Sequence, residues 1–264
     1  MCIRDRAKSI ALSLLGGERK AILLGNAAAH HANASGLLAL ANWIGAQTGA
    51  TVGYLTEAAN TVGAQLANAL PGANGLSAGQ MLAGGLKAVL LLNTEPEFDS
   101  AAGRAALDGL NKAQMVVTMS PFKANLAFSD VLLPIAPFTE TPGTFVNAEG
   151  RVQGFHAVVK PLGETRPAWK VLRVLANLLG LQGFAYESAN EVLVAARGAQ
   201  DAQATHVQGN LLGNATSAAT DVTPGAGQPV TASIYQLDGI VRRAPSLQAT
   251  ADAKAAVVVE RVAA

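Results

Sequence analysis

Short apolar runs that each close on a turn, with helical periodicity in the gaps between them, constrain this chain more than anything else in it. The runs are Ala21–Leu24, Thr51–Leu55, Lys87–Leu92, Gln114–Met119 and Val131–Leu133. Each is too short for an ordinary helix and is rich in the aliphatic residues of a strand buried on both faces. Between the first two, Ser35 stands as an N-cap, Leu37, Leu40, Ala41 and Ile44 recur at helical spacing, and Gly49 closes the helix. Helices are also predicted over Thr61–Leu70, Ser77–Leu86, Ala101–Leu110 and 167–179. Strands alternating with helices predict an α/β fold: a parallel sheet with helices on both faces, built from βαβ units. The loops at Gly25-Asn26, Asn93-Thr94, Ser120-Pro121 and from Pro134 onward then open at one edge of the sheet, where such proteins seat ligands.

The organisation read from these signals has four parts. Residues 1–19 are an irregular or non-native start, with Met1 to Arg6 foreign to the fold. Residues 20–181 are the α/β domain, ending on the helix 167–179, whose Val171, Leu172, Leu175, Leu178 and Leu179 form one apolar face. Residues 182–232 are a short helix near 190–197 and a linker rich in Ala, Gly, Thr, Asn and Gln. Residues 233–264 are a docking segment in which Tyr235, Leu237, Ile240 and Val241 are the expected anchors.

Half of the 264 residues are hydrophobic and only 14% are charged, against about 25% in a typical domain. So little charge implies much buried surface, within the fold or against partners. A net charge of +1, with Lys and Arg scattered, points away from nucleic acid. No apolar stretch approaches the roughly 20 residues that span a bilayer. The one cysteine, Cys2, rules out an internal disulfide. It also rules out an iron–sulfur cluster or a cysteine-based zinc site held by this stretch alone, since those need about four ligands.

The stretch Asp130-Val-Leu-Leu-Pro134 through Glu149-Gly-Arg-Val-Gln153 carries the most specific signal. A buried strand stops at Pro134 and runs into a polar loop containing Glu140, Gly143, Thr144 and Asn147. It resembles the molybdopterin-oxidoreductase family pattern, in which an Asp-Val-x-Leu-Pro strand leads to Glu, Gly-Thr, Asn and Glu-Gly-Arg-x-Gln. The wording is most similar to one branch, the large iron–sulfur subunit of bacterial NADH-quinone oxidoreductase, respiratory complex I. The resemblance spans roughly residues 20–181 and returns weakly near 233–252.

That resemblance implies a Rossmann-like α/β domain of an oxidoreductase. In such enzymes the polar loop helps to hold a pyranopterin dinucleotide. Thr144, Asn147, Glu149, Gly150 and Arg151 are then the cofactor-binding candidates, vestigial in the complex I branch, with Arg151 the natural partner of a phosphate. The structural alternative has Glu140, Asn147 and Arg151 satisfying one another and bracing the loop. The complex I branch further implies no catalytic residue, no metal ligand and no cofactor in this stretch, and iron–sulfur clusters in an N-terminal part of the parent subunit. It implies a structural role among the other hydrophilic-arm subunits, at the cytoplasmic side of the bacterial inner membrane without insertion. The other branch, a formate dehydrogenase-like enzyme, implies molybdopterin and a share in its pocket.

The remaining candidates carry less. Adjacent His30 and His31 point in different directions with no acidic or thiol neighbour, and are expected to line a loop or form an N-terminal cap; His156 and His206 are isolated. The Gly25 turn lacks two glycines of a dinucleotide fingerprint, and Glu57 alone does not restore it. Ser120 and Ser129 have no triad-like partners nearby. Arg242-Arg243 reads as a solvated or interface pair.

Overall fold

A computed structural model of the chain describes residues 3–29, 31, 33–56, 58–198, 201–207, 213–220 and 233–255. The chain divides into two compact units: residues 1–62, 146–151 and 206–231 form the first, and 63–145, 152–205 and 232–264 the second.

The first unit opens with helix α1 (Ile3–Gly16), so the start is helical rather than irregular. Ala7, Lys8, Ala11 and Leu12 are all strong helix formers. A βαβ unit follows: β1 (Ala21–Leu24), the short α2 (Asn26–Ala29), α3 (Ala34–Thr48) and β2 (Thr51–Tyr54). β1 and β2 pair in parallel, Ala21 opposite Thr51 and Leu24 opposite Tyr54. The N-cap of α3 is Asn33, two residues before the expected Ser35. Its end is as read: Gly49 takes a left-handed conformation (φ 72°) and donates to the Gly45 carbonyl. Gly45 is needed for close packing, because a Cβ there would stand 2.7 Å from Val52 Cγ2 and 2.9 Å from the Ala50 carbonyl. The part of the expected linker that is described has a tie to this unit: Asn42 Nδ2 donates to Asn214 O (2.8 Å). Residues 199–200, 208–212 and 221–232 of that linker lie outside the described residues.

Helix α4 (Thr61–Leu66) leads into the second unit. There α5 (Ala78–Leu82) begins with a capping box between Ser77 and Gln80. Next come β3 (Ala88–Leu92), α6 (Pro96–Asp99), α7 (Ala105–Leu110), β4 (Met115–Ser120) and β5 (Val131–Pro134). The three strands form a parallel sheet in the order β3-β4-β5. Pro134, with no N–H to give the ladder, is tolerated because β5 is an edge strand. Leu91, Leu110 and Val116 make the core beneath this sheet, with Leu82, Val89, Ala113 and Phe128 packed on it. The parallel α/β expectation therefore holds, with its strands in two sheets rather than one.

Two further strands, β6 (Gly143–Val146) and β7 (Val152–Phe155), pair with each other. Five residues join them, too few for a parallel crossover, so they form a hairpin. The rings of Phe145 and Phe155 pack edge to face, with centroids 5.0 Å apart. This corrects the reading of 143–146 as loop: Gly143 and the crowd of turn formers before it hid a short strand. Further helices are α8 (Ala168–Leu178), α9 (Ala189–Arg197), α10 (Ile234–Leu237) and α11 (Pro245–Gln248). Among the described residues, no helix is long and apolar enough to cross a membrane.

Candidate functional site

Thr144 belongs to the second unit, while Asn147, Glu149, Gly150 and Arg151 share the hairpin loop in the first. Asn147 is the loop's brace. Its side-chain oxygen accepts from the backbone N–H groups of Glu149 (3.1 Å) and Arg151 (2.9 Å), and its own N–H donates to Arg151 O (3.1 Å). Gly150 is buried with φ 80°, a conformation that favours glycine, and its carbonyl accepts from Val207 N (2.8 Å). The bracing is thus done by Asn147 on backbone groups. Glu140 is tied elsewhere, accepting from Leu162 N (3.0 Å). Glu149 and Arg151 are exposed and make no ion pair among the described residues.

Thr144 lines a cavity of about 580 Å³ in the second unit, together with Phe155, His156, Trp169, Leu193 and Gln203. Trp169 Nε1 is buried without a hydrogen-bond partner among the described residues.

A smaller cavity lies elsewhere in the second unit, at the carboxyl ends of β3, β4 and β5. Its walls are Asn93, Thr94 and Glu95 after β3, Ser120, Pro121 and Phe122 after β4, and Pro137 and Phe138 after β5. These are three of the loops expected to open together. Its volume is about 240 Å³. Two asparagines shape it. Asn93 sits at φ 49° and donates its N–H to Met119 O (2.8 Å). Asn125, at φ 59°, donates to Thr94 O (3.0 Å) and to the buried Thr118 hydroxyl (3.3 Å), which also bonds Ser129 (2.7 Å). Ser129 is therefore a structural hydroxyl, and Ser120 Oγ accepts from Phe122 N (3.0 Å).

The far wall comes from residues 237–242. Arg242 donates to Glu95 (2.8 Å) and lies 3.4 Å from Asp99. Arg243 grips both oxygens of Glu95, at 2.7 and 2.9 Å. The Arg242 guanidinium stacks on Phe98 (4.5 Å) and that of Arg243 on Phe122 (4.2 Å). Arg242 is 9% exposed and Glu95 14%, so their ion pair is shielded from water, while the Arg243 side chain is 32% exposed; the anchoring expected of Leu237 and Ile240 falls to the arginines. Burial pushes the Glu95 carboxyl up. Hydrogen bonds from Arg243 and Arg242, with their charges, outweigh it and hold the group below the usual carboxylate range. No local motif announces Glu95; its partners are about 150 residues away, and only their shared position at the strand ends brings them together.

His31 Nδ1 accepts from Asn33 N (3.0 Å), a loop role as expected. His30 and Glu57 lie outside the described residues. His206 forms a β-bridge with Arg151, and His156 lies at the 580 Å³ cavity. Among the described residues no group of three or more His, Cys, Asp and Glu is placed to hold a metal ion.

The sequence profile described as molybdopterin oxidoreductase matches residues 9–178. The match takes in part of α1 and all of both parallel sheets. A Staphylococcus aureus protein (strain bovine RF122) carrying a provisional formate dehydrogenase name is 39% identical over 79 residues, which are 30% of this chain and 8% of that protein. A Bacillus subtilis protein (strain 168), YjgC, provisionally named an oxidoreductase, is 42% identical over 66 residues, 25% of this chain and 7% of that protein. The matched stretch is thus under a tenth of the length of these relatives.

Proposed function

Because this chain belongs to the molybdopterin oxidoreductase family, we propose that it is a portion of a larger oxidoreductase of the formate dehydrogenase-like kind and contributes to its pterin dinucleotide pocket. The observation that carries this reading is the cavity at the carboxyl ends of β3–β5, the place where an open α/β sheet receives a ligand. Relatives provisionally named formate dehydrogenase support it.

The residues fit part of such a cofactor. At about 240 Å³ the cavity is smaller than the roughly 300–1,000 Å³ of a drug-sized site, and suits one end of a dinucleotide. Its lining carries Glu95, Asp99 and Asp238 against Arg242, an acidic balance that repels phosphate and accepts from the N–H edge of a purine. Thr94 and Ser120 add hydroxyls. In the first unit, Arg151 is an exposed guanidinium without an ion pair among the described residues, and is proposed as a phosphate partner. Thr144, Asn147, Glu149 and Gly150 would act by shaping the hairpin and its loop. When bound, the cofactor supplies the redox chemistry; these residues bind and orient it.

Molybdenum and pterin analysis of the purified full-length parent tests the reading. Stoichiometric pterin supports it and its absence contradicts it. The second reading is a structural domain of the complex I iron–sulfur subunit, peripheral on the hydrophilic arm and without its own redox centre. The wording of residues 130–153 favours it, as does the self-braced Asn147 loop. It expects no pterin, and co-purification of the parent with the other hydrophilic-arm subunits; a parent recovered without them removes it.

A further inference from the structure

We propose that residues 233–255 are a strap across the cavity at the strand ends, that Glu95 is the catch fastening it, and that a ligand reaches the cavity when the catch is released. This rests on the reading of that cavity as a ligand site.

The strap is braced within itself. Gln248 Nε2 donates to Tyr235 O and Val241 O, both at 2.9 Å, joining α10, the 3-10 turn Val241–Arg243 and α11. Asp238 Oδ1 accepts from Ile240 N (2.9 Å) and Val241 N (2.8 Å), and Arg242 also donates to Gln236 O. A piece tied in this way can lift as one body.

Its attachment is polar. Of its large apolar residues, Ile234, Leu237, Ile240 and Leu247 are 62%, 44%, 45% and 40% exposed, Tyr235 and Val241 are half-buried, and Ala253 is the fully buried apolar residue it contributes among those described. What grips the sheet side is the pair of guanidiniums on Glu95, helped by Asp99 and by the rings of Phe98 and Phe122. Burial of apolar surface would make the strap part of the core. A hold concentrated on one carboxylate can be undone by a single competing group.

The catch also belongs to the cavity wall. Glu95 follows Asn93 and Thr94 in the loop after β3, its N–H held by Asp99 Oδ2 (2.7 Å). Arg242 and Asp238 line the same space from the strap side. A ligand group that bonds Glu95 or Arg242 therefore competes directly with the fastening.

Hydrogen exchange by mass spectrometry on the full chain tests this without any ligand. In Glu95→Gln, peptides covering 233–255 should exchange at least about tenfold faster while β3 and β4 peptides stay unchanged, because the charge-assisted bonds are lost and opening is local. Glu97→Gln, which disturbs only the exposed 3.9 Å contact with Arg104, should leave the strap unchanged. If Glu95→Gln does not fold, Arg243→Gln removes the bidentate grip at a side chain 32% exposed, with the same expected pattern. Unchanged strap exchange in the folded variant, or equal acceleration throughout the second unit, overturns the strap. Pterin analysis of the parent decides the ligand reading separately.

Discussion

Replacing Asn147 by Ala separates bracing from ligand binding in the 147–151 loop. The side chain accepts two backbone N–H groups, at 3.1 and 2.9 Å. Two neutral hydrogen bonds at about 0.5–1.5 kcal/mol each would give about 1–3 kcal/mol. Glu149 and Arg151 are exposed, so water can reach the freed donors, and the expected loss falls to about 1–2 kcal/mol. Arg151→Ala removes an exposed side chain without an ion pair and should stay within about 0.5 kcal/mol. Urea denaturation of the chain alone, followed by circular dichroism, measures both. A loss below about 0.5 kcal/mol for Asn147→Ala, or an equal loss for Arg151→Ala, would refute the assignment of the brace to Asn147. In the loaded parent the order should invert for cofactor retention: Arg151→Ala lowers pterin content without lowering stability.

Gly109→Ala should be among the most damaging single changes, at about 3 kcal/mol or more, because a Cβ there would stand 2.1 Å from Leu82 O and 3.0 Å from Gly84 N, both backbone atoms that cannot rotate away; thermal melting of the purified variant checks it. Lowering the pH should loosen residues 233–255 before the β3–β4 core. The Glu95 carboxyl is held below its ordinary value by Arg243 and Arg242, so its contribution is fully present above the unfolded value and is lost as pH falls through the folded one. The other carboxylate on Arg242 is Asp99, and Asp238 caps the strap turn. Strap exchange should therefore be steady from neutral pH down to about 4.5, after correction for intrinsic rates, and rise only below it; a rise between pH 7 and 5 would assign the pH response to another group.

Much of the fold is legible in the chain because its strands are short aliphatic runs with clear stops. Lys87–Leu92 and Gln114–Met119 are each found within one residue of the expected bounds, as Ala88–Leu92 and Met115–Ser120. The helix 167–179 is likewise found, with Pro167 outside it as the N-cap. β6 has only four residues and begins with Gly143, so neither period nor propensity marks it. Its partner fixes it: Phe155 lies where a Cβ on residue 143 would go, 2.5 Å from the ring. The clamp on Glu95 was illegible for a different reason. Arg242 and Arg243 read as a solvated or interface pair because sequence carries no sign of the aromatic rings and the carboxylate they meet across the fold. The expectation that loops after successive strands share one edge did find the cavity, through Asn93, Ser120 and Pro137, since in a parallel sheet every carboxyl end faces the same way. It did not find what closes it.

The most direct test of the account is a hydrogen-exchange comparison of the full-length parent with and without its bound pterin. Protection by the cofactor at residues 93–95, 120–122 and 137–138 is the predicted result. Protection that leaves all three of these segments unchanged, in a parent shown to hold stoichiometric pterin, would contradict the assignment of the strand-end cavity to the cofactor.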